Sequence, residues 1–201
     1  MVTRDDLEDG AAAHVVATIR AVRARTPDVA VEVLVSDFGG RGASVDAVAD
    51  ARPDVFNHNV ETVGRLYRSV RPQANLETSL KVLRTARERS EDLVVKSGFM
   101  VGLGETDDEI LDLMCSLKHA GCDVVTIGQY LQPTLSQVPV TEYRLPEDFK
   151  RFSDLAKSIG IRYVISGPMV RSSYRAKDIL EEVRLDRDGD RSRGHREKER
   201  P

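Results

Sequence analysis

The chain is poor in the features that would hold a metal cluster, cross a membrane or bind nucleic acid. Its 201 residues contain two cysteines, Cys115 and Cys122, seven positions apart, which is no metal-ligand spacing. Two isolated thiols read most simply as small buried hydrophobes, and a four-cysteine iron–sulfur site cannot be made from two. No apolar run approaches the roughly 20 residues that a membrane span needs, and the first residues are polar and unlike a signal peptide. A net charge of −3 and a pI near 5.9 give no electrostatic reason to expect nucleic acid or an anionic membrane as a partner. A cytoplasmic location is the expectation. What remains, 40% apolar and 31% charged residues, is the balance of one globular domain with a real core.

The chain is organised around residues 94–109, VVKSGFMVGLGETDDE. Val94 to Val101 is a β-rich apolar run, and Gly102, Leu103 and Gly104 break it with two residues free to take positive φ. Thr106 and Glu109 form a capping box, and Ile110, Leu113, Met114 and Leu117 follow at helical spacing. The order is strand, glycine loop, helix. In parallel α/β proteins, ligands sit at the carboxyl ends of the strands, which singles out Lys96, Ser97 and Glu105. The same turn is also ordinary connection chemistry.

Around it, strand and helix signals alternate. A helix carries Val15, Val16, Ile19 and Val22, with His14 a plain helical residue, and Pro27 breaks it. Residues 29–38, VAVEVLVSDF, read as a strand buried on both faces. After a short helix through Ala51, Pro53 resets the chain before a strand ending in Asn57, His58 and Asn59, with Glu61 next; this polar cluster either caps a helix or binds a ligand. A helix with Leu76, Leu80 and Leu83 on one face precedes the central unit. Beyond it, residues 123–131 form a strand with Gly128 as a bulge, a packing position or a ligand approach. Pro146 opens a helix with Phe149, Phe152, Ala156 and Ile159 on its apolar face, and the last strand covers residues 162–166. Gly167 to Ala176, GPMVRSSYRA, places two hydroxyls beside Arg171 and Tyr174, which either start the final helix or serve a site. Residues 186–201 are charge-dense and apolar-free, the composition of a disordered tail, in which His195 is solvated. Asp186, Asp188 and Asp190 mimic a calcium loop, but Arg191 stands where the turn needs glycine.

Several of these segments resemble one family. KSGFMVGLGE is similar to the lipoyl synthases, and Gly98, Met100, Gly102 and Glu105 fit the GxIxGxxE pattern of radical S-adenosylmethionine (SAM) enzymes, with Met in place of Ile. VTRDDLEDGAAAH, PDVFNHNVETV, TIGQYLQPT and the RSSYxA signature at residues 171–176 also resemble that family, in its order, so the likeness covers about residues 3–176. Ser36, Gly39 and Leu76 depart from the family's usual proline, arginine and aromatic residue.

The resemblance implies a lipoyl synthase, a radical SAM sulfurtransferase that inserts sulfur into protein-bound octanoyl-lysine. It implies SAM and two [4Fe-4S] clusters as cofactors, and as partner an octanoylated lipoyl carrier domain, either glycine cleavage H protein or a dehydrogenase E2 subunit. Asn57, Asn59, Glu61, Lys96, Ser97, Gly98, Gly102, Glu105 and Gln132 would bind the cofactor. Ser172 or Ser173 would supply the non-cysteine ligand of the auxiliary cluster, with Arg171 beside it. The family's CxxxCxxC and auxiliary cysteine segments do not occur in this sequence. The expectation is therefore an amino-terminally truncated fragment, inactive alone. Its fold class is α/β, a partial parallel (β/α) barrel of the radical SAM type missing its first strand or strands. Residues 1–180 form the incomplete core and residues 186–201 the tail. Two other readings stand beside it: a barrel aldolase using Lys96 as a Schiff-base amine, and a non-catalytic remnant that binds the carrier domain.

Overall fold

The computed structural model describes residue 4 and residues 6–198. Five strands, β1 (Glu32–Leu34), β2 (Val55–Asn57), β3 (Val94–Val101), β4 (Val124–Gln129) and β5 (Tyr163–Gly167), form one sheet. They are parallel and lie in sequence order, which is how a (β/α) barrel grows. The described strands do not close on one another, so the sheet is an arc of a barrel with β1 and β5 as its edges. Among the described residues seven α-helices accompany it: α1 (Ala12–Arg25), α2 (Gly42–Asp50), α3 (Tyr67–Val70), α4 (Leu76–Arg89), α5 (Asp107–His119), α6 (Pro146–Ser158) and α7 (Ala176–Lys198). Local chemistry sets their starts. Asp9 accepts hydrogen bonds from the Ala11 and Ala13 amides ahead of α1, Asn75 caps α4, and Thr106 with Glu109 makes the expected capping box of α5.

Side chains alternate across the strands, so each strand feeds two layers. Val95, Phe99 and Val101 of β3 and Val125 and Ile127 of β4 point to one face, where they pack with Ile19, Val48, Leu83, Ile110, Leu117 and Phe152 from the connecting helices. Val55, Val94, Val124, Tyr163 and Ile165 point to the other, inner face and meet Ile179, Leu180 and Val183 of α7. The helix α7 therefore lies on the face that the other helices leave free.

Two aspartates fasten it there by the same device. Asp54, just before β2, accepts from the Val31 amide at 2.7 Å and from Arg23 at 2.9 Å, and pairs with Arg184 of α7. Asp123, just before β4, accepts from the Val95 amide at 2.8 Å, pairs with Arg87, and accepts from Arg187 of α7 at 3.1 Å. Each carboxylate thus closes one strand start, holds one helix in the outer layer and anchors α7.

Two expectations need correction. The run from Val29 to Phe38 is not a long strand buried on both faces. Only Glu32–Leu34 pairs, and Val29 and Leu34 stay 51% and 41% exposed, because β1 is an edge with a neighbour on one side only. Residues 186–198 are not an irregular tail either. They continue α7 to Lys198, drawn along by Tyr163, which donates to Asp186 at 2.6 Å, and by Arg187, which reaches the Asp92 carbonyl. Residues 1–3, 5 and 199–201, which belong to the segments expected to lead into α1 and to end the tail, lie outside the described residues. Among the described residues no helix is long and apolar enough to cross a membrane.

Candidate functional site

The glycine loop after β3 is built by its own acid. Glu105 is buried, and its two carboxylate oxygens accept from the Gly102 amide at 2.6 Å and the Leu103 amide at 2.9 Å. Gly102 takes φ 100°, and a Cβ there would lie 2.4 Å from the Glu142 carbonyl oxygen, so glycine is needed to let the 130–145 loop pass. Gly102 and Glu105 therefore shape the loop, and their polar atoms are taken by the protein itself.

The inner face of the sheet carries the polar groups. The Lys96 side chain is 2% exposed, and its Nζ lies 3.0 and 3.1 Å from the two Glu32 carboxylate oxygens. Between them on β2, Asn57 donates through Nδ2 to Glu32 Oε1 at 2.9 Å, while its Oδ1 is buried with no hydrogen-bond partner. One turn of the strand pattern further, Asn59 and Thr126 close over Gly98. A Cβ on Gly98 would lie 2.3 Å from Thr126 Oγ1 and 3.1 Å from Asn59 Oδ1. Asn59 Oδ1 is also buried and unpartnered.

Beyond Asn59 the chain stays attached to β3. Glu61, at φ 68°, donates from its amide to the Gly98 carbonyl and accepts from the Met100 amide at 2.9 Å. Its carboxyl is pushed above the usual carboxylate range by loss of water, opposed by the Arg71 guanidinium and by a hydrogen bond from Asn59. Arg71 also donates to the Asn59 carbonyl at 3.2 Å.

The loop after β5 comes down on the same face. Gly128 of β4 has no side chain, and a Cβ there would lie 2.4 Å from the Val170 carbonyl oxygen, so the backbone of the loop rests directly on the sheet. Arg171 donates to that carbonyl at 2.7 Å. Ser172 is half-buried, and its Oγ accepts from Asn59 Nδ2 at 2.9 Å; Ser173 points outward and is exposed. The structure thus brings Asn57, Asn59, Lys96, Gly98 and Ser172 to one surface, with Glu61 and Arg171 at its rim.

Other expected site residues lie elsewhere. Ser97 has the opposite parity to Lys96, faces the helical layer, and is buried with its hydroxyl unpartnered. Gln132 donates to the Gln137 carbonyl of its own loop. Lys96 is no free amine awaiting a carbonyl compound, since Glu32 holds it as an ion pair. His58 also faces away from the site and bonds the Val35 carbonyl through Nδ1. Glu32, Thr126 and Arg71 were missed in the sequence. The only signal for Glu32 was one carboxylate inside a run of β-branched residues, an expensive choice unless a cation is opposite.

Residues 2–117 match the family model of the Radical SAM superfamily. The chain belongs to that superfamily. It is 51% identical to a lipoyl synthase of Rubrobacter xylanophilus over 183 residues, covering 91% of this chain and 57% of that relative. It is 52% identical to a lipoyl synthase of Chlorobium chlorochromatii over 176 residues, 88% of this chain and 60% of the relative. With a lipoyl synthase of Caldicellulosiruptor bescii the identity is 50%, covering 91% and 64%. The chain thus spans somewhat less than two thirds of the length of these relatives. Among solved structures, methylornithine synthase superposes with a TM-score of 0.56 at 13% identity, over 80% of this chain and 54% of the other, and shares its fold.

A radical SAM protein is expected to use SAM and an iron–sulfur cluster, and the residues present fit the first. The buried, unpartnered Oδ1 atoms of Asn57 and Asn59 call for donors such as hydroxyl or ammonium groups, which SAM carries. The residues do not fit the second. Cys122 is buried with its thiol pushed up by loss of water, Cys115 lies half-buried on α5, and two thiols cannot furnish even the three thiolates of a CxxxCxxC site. Among the described residues no three His, Cys, Asp or Glu side chains converge as a metal site.

Proposed function

We propose that this chain is the SAM-facing portion of a lipoyl synthase, whose reaction is sulfur insertion into octanoyl-lysine on a lipoyl carrier domain. The observation that carries the reading is the meeting of Asn57, Asn59, Lys96 and Gly98 with Ser172 of the RSSY motif on one face of the sheet, in a chain about 50% identical to lipoyl synthases. SAM bound here would supply 5′-deoxyadenosyl radicals on taking one electron from a [4Fe-4S] cluster, which cysteines other than those of this chain would have to hold. The chain's own part is to bind and orient. Asn57 and Asn59 offer carbonyl oxygens, Lys96 and Glu32 fix the electrostatics beneath them, and Gly128 lets the RSSY loop sit on the sheet. The octanoylated carrier, whether H protein or E2 subunit, would approach from the side of that loop. Met169 and Tyr174 of that segment are exposed and could meet an acyl chain.

Calorimetry tests the reading. The chain should bind SAM, and Asn57→Leu should weaken it about ten-fold, the scale of a lost hydrogen bond together with a blocked acceptor. Treated anaerobically with iron and sulfide, the same chain should take up no stoichiometric [4Fe-4S] cluster and form no 5′-deoxyadenosine. Stoichiometric cluster absorbance with SAM cleavage would overturn the assignment of a binding role to this chain alone.

A further inference from the structure

The two ends of the Asn59 side chain do different things. Nδ2 donates to Ser172 Oγ at 2.9 Å, a contact between residues 113 positions apart, beside the hydrogen bond that Asn59 gives the Glu61 carboxyl. Oδ1 is buried, has no partner, and lies beside Gly98 and Thr126 Oγ1 on the inner face. The backbone beneath is fixed: the His58 amide donates to the Lys96 carbonyl, the Glu61 amide to the Gly98 carbonyl, and Arg71 donates to the Asn59 carbonyl. Arg71 is itself stacked 5.7 Å from the Tyr67 ring centroid, and the Tyr67 hydroxyl donates to the Val60 carbonyl. A planar amide so held cannot turn one end without turning the other.

The loop it reaches has few other fastenings. Residues 171–175 form turns whose internal bonds are Tyr174 to the Arg171 carbonyl and Ala176 to the Ser173 carbonyl, and Arg171, Ser173, Tyr174 and Arg175 are exposed. Its side-chain tie to the sheet is the bond from Asn59; next to it lie the seat of Val170 on Gly128 and the Gln129 amide's bond to the Pro168 carbonyl, and Arg175 pairs with Asp178 of α7.

We infer that Asn59 is a positioning residue that couples the two halves of the site: its Oδ1 receives a donor of the bound ligand while its Nδ2 holds the Ser172 loop, so that filling the inner face tightens the loop. The ligand half of this inference rests on the SAM reading above; the anchor half does not. An Oδ1 that gains a donor polarises the amide and strengthens the Nδ2–H donation at its other end, the cooperativity expected of linked hydrogen bonds. A loop placed in this way holds Ser172 in place without ligand and more firmly when the inner face is filled.

The test is hydrogen exchange of residues 169–175, with tryptic cleavage at Arg171 and Arg175 as a second readout, on the full chain and on N59A, S172A and the double variant. Without ligand, each single variant should exchange the loop about five-fold faster, the worth of one neutral hydrogen bond, and the double variant should be no faster than either. Parent rates in both single variants, or strictly additive effects, would overturn the anchor. With SAM added, the parent loop should slow further. S172A should bind SAM more weakly than the parent by the same factor as SAM slows the parent loop, since coupling is reciprocal, and should show little added protection. Undiminished protection by SAM in S172A would overturn the coupling. A parent chain that binds no SAM would remove the SAM reading and the ligand half together, while the ligand-free exchange data still decide the anchor.

Discussion

Lys96 and Glu32 lie 64 positions apart in sequence and on strands that do not touch, yet their charges meet at 3.0 Å across β2, where Asn57 of the strand between also donates to Glu32. The ammonium is 2% exposed and the carboxylate 21% exposed, so the pair sits where an unmatched charge is expensive. Removing one partner should therefore cost more than removing both.

Glu32→Gln, which leaves the ammonium buried and unpaired, should lower the unfolding free energy by about 3 kcal/mol. Lys96→Met combined with Glu32→Gln should recover most of that loss, as read by urea denaturation. The ion pair also argues against a Schiff-base lysine. Borohydride reduction with a simple aldehyde should leave the peptide containing Lys96 at its parent mass, and a trapped adduct there would revive the aldolase reading.

His58 should make stability fall as the solution is acidified. The ring is fully buried, donates through Nδ1 to the Val35 carbonyl and has an unpartnered Nε2; burial holds its pKa down to about 4 from 6.5. The folded state therefore refuses a proton that the unfolded chain accepts. Stability is full above about pH 6.5 and is lost as pH drops toward about 4, by up to about 3 kcal/mol. His58→Asn should flatten that slope in denaturation midpoints between about pH 6.5 and about pH 5, whatever its effect at neutral pH. An unchanged slope in the variant would show that other groups carry the dependence.

Glu105 should behave as a clamp on the glycine loop. Its carboxylate accepts from two amides at once, with Arg144 3.6 Å away. A glutamine can accept one of those bonds but presents an amide to the other, so Glu105→Gln should destabilise by about 2 kcal/mol and speed exchange at Gly102 and Leu103. If the variant kept the parent melting temperature and lost SAM binding alone, the carboxylate would belong to the ligand and not to the loop.

The sequence alone determined the pieces that depend on near neighbours. Thr106 and Glu109 announce the start of α5, Pro146 that of α6, and the β-branched runs mark the strands, because caps and propensities act within a few residues. The RSSY and GxIxGxxE-type segments also pointed to the family without any coordinates. Length and burial of β1 were not legible, since VAVEVLVSDF reads the same at an edge as in the middle of a sheet.

Which face each strand residue serves was decided only in the folded molecule. In an almost wholly apolar strand the period-two pattern has no polar side to betray its orientation, so Lys96 and Ser97 looked equally eligible. Register places Lys96 opposite Asn57 on the inner face and turns Ser97 into the helical layer. Helical order in residues 186–198 likewise depended on Tyr163 and Asp123, which lie far upstream of the contacts Asp186 and Arg187 make with them. The bond from Asn59 to Ser172 spans 113 positions and exists only because Gly128 lets the last loop descend onto the sheet. Such contacts belong to no segment; they arise when parallel strands fix the distance between side chains that the chain itself keeps far apart.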